Sequence, residues 1–170
     1  MTDRLVAQLL DTSRADQAFP LAQAATGISL ERWRAFVAAQ SAKSDGSDGA
    51  AGILLVQDER GYIVGLCSFH RVEDMQRGPS LAVDNLIAVD LLDGSRIAEF
   101  LLINLETLAR SRGFRAVQIN LPRGAFVVSP GRDGLVQSLC NQGHAVDALR
   151  LVKTLGGGVG QAPLRRIGSR

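Results

Sequence analysis

Along this chain the apolar residues recur first at helical spacing, then at every second position, then at helical spacing again. After a short apolar run at residues 5–10 that reads as a strand, Phe19, Leu21 and Ala24 recur at helical intervals and predict a helix over 16–25. Pro20 falls early in that segment, where proline is tolerated, and Gly27 ends it. Ser29 can cap a second helix, in which Leu30, Trp33, Phe36 and Val37 form one stripe while Glu31 and Arg32 face water. Trp33 belongs to that stripe and reads as core rather than as a ligand contact.

The small, polar, glycine-rich stretch at 41–52 predicts a loop. Beyond it the period becomes two. Residues 53–57 and 62–72 read as strands joined by the turn Asp58-Glu59-Arg60-Gly61, which makes a hairpin. A charged loop at 73–80 leads to a third strand at 81–90. Then the helical period returns, with Ile97, Phe100, Leu101, Asn104, Leu105 and Leu108 on one face and Glu99, Glu106, Arg110 and Arg112 elsewhere. Gly113 closes this helix, and a strand at 116–121, ended by Pro122 and Gly124, completes a parallel crossover. Residues 125–130 read as an extended connection and 133–141 as a short helix with Leu135, Val136 and Leu139 inward, ended by Gly143. A last strand is expected at 145–155. Together these predict one domain over 1–155 and a glycine-rich, basic tail over 156–170.

The chain is organised around the junction where the strand ending at Asp90 turns, over 91–94, into the helix. A helix N-terminus gathers unpaired backbone amides and can hold a phosphate. Asp93 stands in that turn, where its carboxylate can take the same amides as a cap.

Composition narrows the classes. A hydrophobic content of 46% with 21% charged residues is that of an ordinary globular chain, and no apolar run reaches the roughly 20 residues of a membrane span. The first residues lack the apolar middle of a secretion signal, so a cytoplasmic location is expected. A net charge of +2, with one Trp and one Tyr, argues against nucleic-acid binding, and Arg165, Arg166 and Arg170 read as a solvated basic end. Cys67 and Cys140 sit in apolar patterns and predict buried thiols rather than a disulfide or a metal site. The glycines at 156–160 are followed by no Gly-Lys-Ser/Thr, which excludes a P-loop.

The order β, α, α, β, β, β, α, β, α, β resembles the GNAT acetyltransferase superfamily. That resemblance implies an α/β (α+β) fold, with a mixed, mainly antiparallel central sheet and helices on both faces. In the family the third meander strand enters a turn of pattern Arg/Gln-x-x-Gly-x-Gly/Ala that binds the pyrophosphate of acetyl-CoA. Aligned on Leu86-x-Ala88-x-Asp90, the matching residues are Asp93, Gly94, Ser95, Arg96, Ile97 and Ala98, of which Ala98 fits at the marked positions. Val83-Asp84-Asn85-Leu86-Ile87 is similar to the Ile-Glu-Asn-Val-Val type of segment on the same strand, where an acidic group lies beside the acceptor amine.

The resemblance implies an N-acetyltransferase with acetyl-CoA as co-substrate and an amine of a small molecule or protein as acceptor. Asp84 is the first candidate base and His70 the second; His70 either faces a cleft as a base or takes a hydrogen bond at the sheet's edge. For Asp84 the alternative is a carboxylate tied into the sheet by Asn85 or an arginine. The family's pantetheine site corresponds to the amides of Ile87, Ala88 and Val89, provided that strand splays from its neighbour. The pyrophosphate site corresponds to Gly94, Ser95, Arg96, Ile97 and Ala98, with Arg96 able to supply a cation. Placing Gly143-His144 on the family's closing Gly-Phe puts Leu139 where the family often carries an acid tyrosine. That departure, with Asp93 and Arg96, leaves a second expectation open, a GNAT-like module that binds or regulates without catalysis. No metal, membrane or nucleic-acid partner is expected, and homodimerisation is left open.

Overall fold

A computed structural model describes residues 4–45, 50–89, 94–121, 126–127 and 131–147. Strand β1 (Val6–Leu9) is followed, after a single 3-10 turn at Thr12–Arg14, by helices α1 (Ala15–Thr26) and α2 (Leu30–Asp45). Strands β2 (Ala51–Gln57), β3 (Ile63–Asp74) and β4 (Gly78–Ala88) form an antiparallel meander. Helix α3 (Gly94–Ser111), strands β5 (Ala116–Ile119) and β6 (Phe126–Val127) and helix α4 (Gly131–Asn141) complete the described elements. The sheet order is β1-β2-β3-β4-β5, with β5 and β6 both parallel to β4 and every other pair antiparallel.

Alternation along the central strands sorts the core into two layers. Leu54, Val56, Cys67, Phe69, Leu81 and Val83 pack with Ile97, Leu101, Leu102 and Leu105 of α3 and with Leu135 and Leu139 of α4. Ile53, Leu55, Leu66 and Ile87 point to the other face and pack with Ala18, Ala22, Trp33 and Val37 of α1 and α2. Each fully buried aliphatic side chain contributes about 1.5–3 kcal/mol. Helices therefore cover both faces of the mixed sheet, as the resemblance implies. Trp33 is core, and its indole N–H donates to the Ala15 carbonyl at 2.8 Å, which ties α2 to the start of α1.

Gly65 brings α3 close to the sheet. A Cβ there would stand 2.6 Å from Ile97 Cγ2 and 3.1 Å from Leu101 Cδ1, so the helix packs on bare backbone.

Several boundaries differ from those expected. Residues 41–45 belong to α2 rather than to a loop, because Ser41, Ala42, Lys43 and Ser44 carry no helix breaker. Strand β2 begins at Ala51, with Gly52 beneath the Phe69 ring. The expected loop at 73–80 is mostly strand, since Asp74 closes a tight turn by accepting the N–H groups of Gln76 at 2.8 Å and Arg77 at 2.9 Å. Asp90, the expected end of the third strand, lies outside the described residues; Ala88 is the last strand residue observed. Within the expected connection at 125–130, Phe126 and Val127 pair with β4 as β6. Residues 145–147 are not strand, and the rest of the expected last strand and the tail lie outside the described residues.

Candidate active site

The site is built by an irregularity in β4. Ser68 pairs with Asp84 and Leu66 with Ile87, so one residue of β3, Cys67, stands against two of β4, Asn85 and Leu86. This is a β-bulge. Asn85 takes φ +54°, a left-handed conformation that Asn tolerates better than most residues. The extra residue lets both Val83 and Leu86 enter the α3 core, while Ile87 faces α1 and α2. Asn85 Nδ2 donates to Ser68 Oγ at 2.9 Å, and that hydroxyl donates to the Asp84 carbonyl at 3.1 Å, which fastens the bulge across the ladder.

On the α1–α2 side of the sheet, His70 and Asp84 are diagonal neighbours across the β3–β4 ladder, His70 pairing with Ala82 and Ser68 with Asp84. His70 Nδ1 lies 3.4 Å from Asp84 Oδ2. Asn120, just past β5, donates from Nδ2 to Asp84 Oδ1 at 3.0 Å, and its backbone N–H donates to Val83 O at 2.9 Å. The two base candidates of the sequence are thus one cluster, in which Asn120 engages one carboxylate oxygen and His70 the other. Asn120 was not among the expected site residues; the signal for it is an isolated amide at the end of a short strand, too common to single it out.

Past the bulge, the Val89 N–H donates to Val64 O at 2.9 Å. Alternation then turns the N–H and C=O of Ala88 away from β3, toward the opposite edge of β4. Pairing with β5 stops at Val83 and Ile119, and β6 takes the edge at Ile87 and Ala88. Of the three expected amides, Ala88 therefore faces that edge, while Val89 is spent on β3.

Helix α3 begins at Gly94, so Gly94, Ser95, Arg96 and Ile97 carry the N–H groups of its first turn. Ile97 and Ala98 are buried and Arg96 is exposed. Asp93 and the turn before the helix lie outside the described residues.

No family model matches the sequence, and no curated protein sequence matches it. Solved structures do. The ribosomal-protein-alanine N-acetyltransferase of Brucella melitensis biovar Abortus 2308 aligns with a TM-score of 0.66 at 19% identity, over 89% of this chain and all of the other. An aminoglycoside 6'-N-acetyltransferase of Acinetobacter baumannii aligns with a TM-score of 0.67 at 9% identity, over 91% and 100%. A GNAT family acetyltransferase of Staphylococcus aureus aligns with a TM-score of 0.62 at 13% identity, over 89% and 98%. This chain has the GNAT fold.

Within the GNAT fold two further positions are accounted for. Leu139, which the resemblance sets at the acid-tyrosine position, is 5% exposed and packed in the α3–α4 core; its carbonyl accepts the His144 N–H at 3.0 Å. Cys140, beside it, is exposed on the outer side of α4 rather than buried as its apolar surroundings in sequence suggest, whereas Cys67 is buried as expected and its thiol is pushed far above the ordinary range by loss of solvation. Among the described residues no group of three or more His, Cys, Asp or Glu could hold a metal ion, and no helix is long and apolar enough to cross a membrane.

Proposed function

We propose that this chain is an N-acetyltransferase that passes the acetyl group of acetyl-CoA directly to an amine, with His70 and Asp84 handling the proton. The observation that carries this reading is the placing of the His70–Asp84–Asn120 cluster beside a bulged strand whose Ala88 amide faces away from β3, toward the edge where β6 pairs. An acceptor amine is an ammonium ion at neutral pH and must lose a proton before it can attack. In the tautomer that donates from Nδ1 to Asp84, His70 presents the lone pair of Nε2 as the base. Asp84 orients the ring and offsets the charge it gains, and Asn120 holds the carboxylate by its other oxygen.

The chain's backbone suits acetyl-CoA at two places. The N–H and C=O of Ala88, next to Ile87 and on the edge that β6 pairs with, match the polar groups of a pantetheine arm. The first-turn amides of Gly94, Ser95, Arg96 and Ile97 suit a pyrophosphate. Ile97 acts there through backbone alone, because its side chain is core, and Arg96 supplies a cation, whereas Ala98 contributes a small buried side chain behind the first turn, its own N–H falling inside the helical ladder. Bound acetyl-CoA supplies an acyl group activated as a thioester. The test is thiol release from acetyl-CoA across a panel of amines, beginning with the acceptor classes named for structural relatives, ribosomal-protein alanine and aminoglycosides. Turnover that disappears in His70→Gln, with the fold retained, supports the reading; turnover that survives it removes His70 as the base.

Buried Leu139 favours a second reading, a GNAT-fold module without catalysis, since no side chain there can protonate a leaving thiolate. Absence of turnover with every amine, despite tight CoA binding, would support that reading.

A further inference from the structure

We infer that β6 is a resident strand that must leave the edge of β4 before an acyl-CoA can bind. The inference rests on the acetyltransferase reading and adds a conformational step to it. Strand β5 pairs with β4 only from Ser80 to Val83, and the Asn120 N–H closes that ladder on Val83 O. The bulge at Asn85 follows at once. Up to this point the strands separate as a cofactor arm requires. Beyond it the chain comes back, and Phe126 and Val127 pair with Ile87 and Ala88. Seven residue steps separate Ile119 from Phe126, against four between their partners Val83 and Ile87. Strand β6 is therefore not an uninterrupted continuation of β5 but a second piece of chain laid into the gap.

The edge of β4 at Ala88 has one N–H and one C=O, and they serve either β6 or a pantetheine arm. Competition for them lowers the apparent affinity for CoA by the fraction of molecules in which β6 is away. Strand β6 is only two residues long, so few ladder hydrogen bonds hold it and a ligand can displace it. The exchange swaps one set of backbone hydrogen bonds for another, which keeps the barrier to binding small.

Hydrogen exchange on the full chain, read in peptides covering Phe126 and Val127 with and without saturating CoA, tests this directly. Protection of those amides should fall when CoA binds. Phe126→Pro removes a backbone donor from β6 while leaving every residue of β4 and α3 in place, and should tighten CoA binding on the order of tenfold, the factor that one or two ladder hydrogen bonds represent. CoA binding with unchanged protection at 126–127 would overturn the inference and leave the acetyltransferase reading intact, as would unchanged or weaker binding in a folded Phe126→Pro. If neither protein binds CoA at millimolar concentration, the acetyltransferase reading fails and this inference with it.

Discussion

Asp84→Asn removes one negative charge while keeping the side chain's volume. In the folded chain Asp84 Oδ2 sits 3.4 Å from His70 Nδ1, and Oδ1 accepts from Asn120 Nδ2 at 3.0 Å. An amide in that place must present its NH2 to His70 or to Asn120: toward His70 it makes Nδ1 the acceptor and moves the ring proton to Nε2, which removes the lone pair of the base, and toward Asn120 it sets donor against donor. A hydrogen bond to a charged group contributes about 1.5–3 kcal/mol, which corresponds to roughly 10–150-fold in rate when it is lost from the transition state. The 3.4 Å separation is longer than an ideal hydrogen bond, and the side chains are 36% and 22% exposed, so water weakens the coupling. The lower part of the range applies: kcat should fall roughly 10–50-fold. The KM for acetyl-CoA should hold, because Asp84 lies on the α1–α2 face rather than at the edge that Ala88 presents. The assay is steady-state thiol release, with circular dichroism to show that the variant is folded. A kcat within about twofold of wild type in a folded variant would show that Asp84 does not orient the base.

Gly65→Ala places a methyl 2.6 Å from Ile97 Cγ2 and should destabilise by about 1–3 kcal/mol, seen as a melting temperature lower by roughly 3–8 °C. The Asp74 carboxyl is held below its ordinary range, first by the N–H of Arg77 and then by that of Gln76, and Arg77 also pairs with Asp147 at 2.9 Å. A depressed carboxyl stabilises the fold above its unfolded pKa, and that contribution is lost as pH falls through the lower folded value. Asp74→Asn should therefore flatten the acid limb of a stability–pH curve measured by urea titration, and an unchanged limb would contradict this assignment. Of the two thiols, Cys140 is exposed and Cys67 buried, so an aromatic disulfide reagent should modify one per folded chain and two after denaturation.

The meander and α3 were legible in the sequence because two buried faces impose their periods directly. Ile53, Leu55, Val83 and the stripe from Ile97 to Leu105 admit one register each. Leu102 and Ala109 widen the buried face of α3 beyond the expected stripe, since α4 covers a second side of it. Helix ends and short strands were less legible. Residues 41–45 are helical although polar, and β6 is two residues whose pairing with β4 spans 39 positions of sequence. The site divides the same way. Asp84 and His70 could be named from chemistry and strand position, but their meeting depends on a diagonal across the ladder, and Asn120 enters only through the parallel crossover. The bulge left a trace in the run from Val83 to Ile87, where the two-residue alternation breaks at Asn85.

Catalysis by this chain requires an acetyl-CoA site beside His70 and Asp84. Calorimetric titration of acetyl-CoA into the purified chain tests that most directly. Saturable one-to-one binding at micromolar concentration is expected; no detectable heat of binding up to millimolar acetyl-CoA would mean that the chain has no such site.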